Sequence, residues 1–285
     1  MNYYMPKSLP KALSYLANGN AFVIAGGTDF FPSLGSRPVP SKLLDLSDIN
    51  ELRGISHQNN RWRFGATTTW TDIVNAELPK CFDGLKACAL EVGSLQIQNA
   101  GTIAGNLCNA SPAADGVPSL LTLDATVELS SLNGVREVAL SDFITGVRSI
   151  DLHDDELVTA VYVPDFPFNS MGSFLKLGSR KYLVISIVMV GAVISVDADQ
   201  RISDAKVAVG SCSAIADRLP DLEAVLLGKS ALEISCNADI WGAHLGPLTP
   251  IADVRGSVEF RLDAAQELCK RAVLQAMVTQ DGFNG

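Results

Sequence analysis

Apolar residues along this chain change period several times, and each change marks a predicted element. Leu9, Ala12, Leu13 and Leu16 share one face at helical spacing, with Ser8 and Pro10 at the start and Gly19 at the end, so a helix is predicted there. Residues 21–24 form a short apolar run that predicts a buried strand. It feeds into Ala25-Gly26-Gly27-Thr28-Asp29, after which Phe30 and Phe31 predict a return to the core. Residues 42–46 predict a second strand, 61–66 alternate apolar and polar, and Thr67-Thr68-Thr69 precede a helix from Thr71. Strand, turn and helix in this order predict a small α/β unit at the start of the chain.

Farther along, residues 85–92 predict a buried helix. Pro118 suits the first turn of another, where its missing N–H is not needed. Residues 125–129 and 135–140 flank Asn133-Gly134, a hairpin signal because both residues accept positive φ. This antiparallel pair predicts a second lobe unlike the first. Residues 156–163 read as an alternating strand closed by Pro164, and the Pro- and Phe-rich segment up to Gly172 as a linker. Strand-like runs at 172–177, 183–196 and 205–209, followed by helical patterns at 221–227 and 262–277, predict an α+β C-terminal domain.

One stretch fits neither period: residues 98–115, QNAGTIAGNLCNASPAAD. Such a composition is that of a tight surface loop, or of a segment that meets a ligand. Gly101 and Gly105 allow positive φ and close approach, while Thr102, Asn106, Asn109 and Ser111 offer uncharged hydrogen-bonding groups. No Lys or Arg lies between Lys86 and Arg136, so an anion held here needs peptide N–H groups or cations from elsewhere. The glycine turn at 25–29 follows a strand and exposes successive N–H groups in the way that cradles a pyrophosphate, and the two stretches are expected to face each other. The chain has no G-x-G-x-x-G, which disfavours an ordinary dinucleotide fold.

Composition narrows the function classes. The 285 residues, 47% of them hydrophobic, suffice for two or three cored domains. A net charge of −9 and the lack of a basic segment argue against a nucleic-acid partner. The cysteines at 81, 88, 108, 212, 236 and 269 form no C-x-x-C pair and stand beside no histidine cluster, so neither a metal nor an iron–sulfur site is expected. The N-terminus lacks the apolar core of a signal peptide, and the longest apolar run, 183–196, is too short to span a bilayer; the expected location is the cytoplasm.

AGGTDF at 25–30, the stretch at 98–115 and FLKLGSR at 174–180 together resemble the FAD-binding (medium) subunit of the molybdenum hydroxylases, the family of xanthine dehydrogenase and aerobic carbon monoxide dehydrogenase. The resemblance covers nearly the whole chain. It implies an α+β fold: a two-lobed α/β FAD-binding domain of PCMH type over 1–165, its lobes meeting near 55–60, then a smaller C-terminal domain over 170–285 with an antiparallel sheet and helices. It implies that Ile24, Ala25, Gly26, Gly27, Thr28 and Asp29 wrap the FAD pyrophosphate and that Thr102, Ile103, Ala104, Gly105 and Asn106 meet it from the other side. Asp115 would fix the ribityl or ribose hydroxyls, and Lys176 would lie near the isoalloxazine.

From the residues alone, Asp115 is equally the N-cap of the apolar helix that follows, and Lys176 a solvated strand lysine. Ala104-Gly105 stands where many relatives carry two glycines, and no aromatic cover for the flavin ring is identified. No catalytic residue and no metal ligand is assigned. The resemblance implies a hetero-oligomer with an iron–sulfur small subunit and a molybdopterin large subunit, electrons leaving FAD for NAD or another acceptor. A stand-alone FAD-dependent oxidoreductase is the first alternative, although only His57, His153 and His244 are available as histidines. A cofactor-free binding or assembly protein of the same fold is the second.

Overall fold

The computed structural model describes residues 2–19, 21–181 and 183–278. They form two compact units, one from the described residues of 1–76, 94–110 and 124–165, the other from 77–93, 111–123 and 166–278. The chain therefore passes between the units several times.

The first unit holds two larger sheets. Asn2–Tyr4, Lys42–Asp45 and Phe22–Ile24 make a parallel sheet in that spatial order. The helix Leu9–Leu16 follows the predicted period and buries Ala12, Leu13 and Leu16 against Leu44, Leu46, Ile49 and Leu52. The second strand differs from expectation. Phe22–Ile24 is an edge strand, so only Ile24 is buried and Phe22 is 50% exposed. Phe30 and Phe31 do not return to the core either. They open a short helix, Phe30–Leu34, that buries none of its residues, and the Phe30 ring packs on both Phe31 and Phe22.

The antiparallel sheet of this unit runs Ile55–Gln58, Arg61–Gly65, Leu157–Pro164, Thr126–Ser131, Gly134–Ala139. Leu157–Pro164 lies at its centre and is buried on both faces from Leu157 to Val161, which overrides the alternation read from its sequence. The predicted hairpin is present one position early: Ser131 pairs with Gly134, so Leu132 and Asn133 form the loop, and of the two predicted turn residues only Gly134 has positive φ.

The expected loop at 98–115 is mostly helical: Leu95–Ala100 and Ile103–Asn109 are helices broken at Gly101-Thr102. Two features outweigh the poor helix propensity of Gly and Asn. The Thr102 hydroxyl accepts from the Gly105 N–H as an N-cap, worth about 0.5–2 kcal/mol. Ile103 and Leu107 are fully buried, each worth roughly 1.5–3 kcal/mol.

In the second unit Ser170–Leu177, Val188–Val196, Ile202–Gly210 and Asp217–Arg218 form an antiparallel sheet in chain order. One face presents Val188, Val190, Ala192, Ile194, Val207 and Val209 to a core shared with Ala265, Cys269, Ala272 and Val273 of the long helix Val258–Met277. The other face carries Lys176, Met189 and Gly191. A methyl group at Gly191 would stand 3.0 Å from the Pro118 carbonyl carbon, so the glycine lets the helix Gly116–Thr122 approach the sheet closely. The helices Ala231–Cys236 and Asp239–Ala243 had no clear apolar period and were not expected. No helix of the described residues is long and apolar enough to cross a membrane.

Candidate functional site: a glycine cradle in one unit, a buried ion pair in the other

In the first unit, the turn at 25–29 and the segment around Gly101 touch. A Cβ on Gly26 would stand 1.8 Å from the carbonyl oxygen of Ala100, and one on Gly101 would stand 3.5 Å from Thr28 Oγ1. Gly27 adopts φ +67°, the left-handed region that glycine tolerates. Among the described residues no group accepts from the backbone N–H of Gly26, Gly27, Thr28 or Asp29. Four successive free donors around a left-handed residue are what an anion needs.

The second stretch works differently from its reading as a loop. Gly101 has φ −64° and Gly105 lies within the helix, so these glycines serve close packing rather than positive φ. The N–H groups of the first helical turn are already bonded: Ile103 to Thr68 O at 3.0 Å, Ala104 to Ala66 O at 3.3 Å, Gly105 to Thr102 Oγ1 at 3.0 Å and Asn106 to Thr102 O at 3.0 Å. Trp70 N–H donates to Gly101 O at 3.2 Å and fixes the break between the helices. Ile103 and Ala104 turn their side chains into the core, as does Ile24. What this stretch offers outward is side chains. Among the described residues the buried Asn106 Oδ1 has no hydrogen-bond partner, a costly state unless a donor arrives.

In the second unit, Asp115 precedes the helix Gly116–Thr122 yet makes no side-chain cap. Its backbone is already helical, and its carboxylate turns instead to Lys176 Nζ at 2.8 Å and Ser186 Oγ at 2.6 Å. Lys176 also donates to the carbonyl oxygen of Glu91 at 3.3 Å, at the end of the helix Asp83–Glu91. Neither plain alternative holds: Asp115 is no N-cap and Lys176 is no solvated lysine. Burial pushes the Asp115 carboxyl above its ordinary range, against the opposing pull of Lys176 and Ser186. The neighbouring Cys88 thiol is pushed up chiefly by burial as well, which makes it inert.

The FAD binding domain in molybdopterin dehydrogenase matches residues 1–166, and the CO dehydrogenase flavoprotein C-terminal domain matches residues 173–276. The chain belongs to the FAD-binding subunits of the molybdopterin dehydrogenases. It is 31% identical to the nicotinate dehydrogenase FAD-subunit of Eubacterium barkeri, with 98% of this chain and 97% of the relative covered. It is 29% identical to the xanthine dehydrogenase FAD-binding subunit of Escherichia coli O157:H7, with 99% and 97% covered. Among solved structures it superposes on a chain of quinoline 2-oxidoreductase from Pseudomonas putida 86 with a TM-score of 0.88 at 29% identity, covering 97% and 96%.

As a member of this family the chain is a subunit of an oxidoreductase and its cofactor is FAD. The residues of the first unit suit that group. The free N–H donors at 26–29 match a diphosphate, and the unpaired Asn106 oxygen matches a hydroxyl or amide donor on the ligand. Sequence reasoning missed Trp70, which pins Gly101, and Ser186, which pins Asp115. Ser186 had a visible signal, being the first polar residue in the apolar run 183–196.

Proposed function

We propose that this subunit relays electrons through FAD within a molybdenum hydroxylase complex. Substrate is oxidised at a molybdenum cofactor on a large partner, electrons cross iron–sulfur clusters on a small partner, and FAD passes them to NAD or another acceptor in the cytoplasm. FAD supplies the redox chemistry, accepting electrons singly or in pairs. The protein's own residues bind and orient it.

In this reading Gly26, Gly27, Thr28 and Asp29 hold the diphosphate by their peptide N–H groups, with Ala25 leading into the turn and Ile24 anchoring it in the core. Thr102 and Asn106 add side-chain contacts, while Ile103, Ala104 and Gly105 fix the helix that carries them. Asp115 accepts from cofactor hydroxyls, and Lys176 places positive charge near the flavin. The segment up to about 165 forms the FAD-binding domain, and the segment from about 170, which carries Lys176, forms the C-terminal domain. The observation that carries the cofactor part is the run of four unpaired N–H groups beside the Gly26–Ala100 contact.

Co-purification from the native host tests the relay. A large molybdenum-containing chain and a small iron–sulfur chain are expected to accompany this one. Full substrate turnover by this polypeptide with FAD alone would overturn the reading.

A further inference from the structure

Asp115 and Lys176 do not form their pair unaided. Each carboxylate oxygen has its own donor: Lys176 Nζ on Oδ2 at 2.8 Å and Ser186 Oγ on Oδ1 at 2.6 Å. A single bond to a lysine ammonium leaves the carboxylate free to swing about its last torsion, because ammonium is a point charge without directional preference. A second donor on the other oxygen fixes the plane. Ser186 is 3% exposed and is followed by the equally buried Ile187, whose N–H is tied to Leu177 O at 2.8 Å. The serine backbone is thus held by the sheet that carries Lys176. Alanine would satisfy the packing at a site this apolar, and a buried hydroxyl costs free energy unless it is bonded. Asp115 is the partner that repays it.

We infer that Ser186 is a positioning residue for the cofactor site: its hydroxyl locks the Asp115 carboxylate in the plane that both pairs with Lys176 and accepts from FAD. The inference rests on the reading of Asp115 as a FAD-binding residue. Among the described residues, the charged and titratable groups facing that carboxylate are Lys176 from the strand Ser170–Leu177 and the Cys88 thiol from the helix Asp83–Glu91.

The test is a titration of apoprotein with FAD, followed by flavin fluorescence across pH, for the wild type, Ser186→Ala, Ser186→Cys, Ser186→Thr, Asp115→Asn and the Ser186→Ala/Asp115→Asn double variant. Ser186→Ala is expected to weaken FAD binding about tenfold, the equivalent of one charge-assisted hydrogen bond. Ser186→Cys preserves packing and is expected to weaken it similarly, whereas Ser186→Thr retains the hydroxyl and restores most of the affinity. The double variant is expected to bind no more weakly than Asp115→Asn alone, since the serine acts through the carboxylate. Loss of the donor also moves the pH midpoint of FAD affinity upward. Wild-type affinity in both Ser186→Ala and Ser186→Cys overturns the inference while leaving the cofactor site standing, as does a full additional loss in the double variant. Wild-type affinity in Asp115→Asn overturns the reading of Asp115 and the inference with it.

Discussion

Lys176 and Asp115, 61 residues apart in the chain, meet as an ion pair at 2.8 Å with side chains only 7% and 11% exposed. A pair this buried stabilises little against an apolar substitute, but removing one partner strands the other. Lys176→Met is therefore expected to cost about 3–5 kcal/mol in guanidinium unfolding at neutral pH. The Lys176→Met/Asp115→Leu double variant should recover most of that. The pH dependence has a definite sign. The folded state already holds the Asp115 pKa above its unfolded value, and loss of Lys176 raises it further. Stability linked to a raised carboxyl is present below the unfolded pKa and lost as pH rises through the folded one. The Lys176→Met penalty should thus be smallest in acid and grow toward neutrality; a penalty independent of pH would contradict the pairing.

Gly26→Ala places a methyl group 1.8 Å from the Ala100 carbonyl oxygen, and backbone cannot swing aside as a side chain can. The turn and the Gly101 break must separate. FAD affinity is expected to fall by more than about tenfold, or roughly 1.4 kcal/mol. Gly146→Ala, whose nearest neighbour would be Ser149 Cβ at an ordinary 3.7 Å, is the control and should bind FAD as the wild type does. Isothermal titration of both apoproteins checks this.

Asn106 gives a prediction in which stability and binding move in opposite directions. Its Oδ1 has no partner to lose, so Asn106→Ala should leave the apoprotein as stable as before or raise its melting temperature. FAD affinity should nonetheless fall by about five- to tenfold, one hydrogen bond's worth. A lower melting temperature together with unchanged FAD affinity would show that the atom serves the fold.

Much of this architecture was legible in the sequence, for reasons that also explain the misses. The helix Leu9–Leu16 and the sheet of the second unit follow clean apolar periods, and periodicity reports burial directly. The contact between Gly26 and Ala100 was foreshadowed because only glycine permits so close an approach. Position within a sheet, by contrast, is not a local property. Phe22 looked buried and is exposed because its strand is at an edge; residues 157–161 looked half-exposed and are buried because theirs is central. Likewise Thr102 reads as a loop residue until its cap to Gly105 is seen. The Asp115–Ser186 bond joins segments that nothing in the sequence links.

A second ionic site, in the first unit, contributes to its stability above acid pH. Arg136 grips Glu156 through Nε at 2.7 Å and Nη2 at 2.8 Å, and the His153 N–H adds a bond at 2.9 Å. The Arg136 bonds, foremost, hold the Glu156 carboxyl at about 2, against an ordinary 4.5. A depressed carboxyl stabilises the fold above its unfolded pKa and loses that contribution as pH falls through the folded one. The unfolding midpoint should therefore drop between pH 4.5 and about 2. Glu156→Gln should be less stable at pH 7 and show a shallower decline over that window, which circular dichroism at stepped pH would record.

The most direct measurement of the whole account is a titration of stripped apoprotein with FAD and, separately, with FMN. FMN carries the same isoalloxazine but lacks the diphosphate bridge that, in the proposed reading, the free N–H groups of Gly26, Gly27, Thr28 and Asp29 receive. The account predicts one FAD per chain, released intact on denaturation, and FMN bound at least about a hundredfold more weakly, since several hydrogen bonds of about 1 kcal/mol each are forgone. Equal affinity for the two flavins, or an apoprotein that takes up neither, would contradict it.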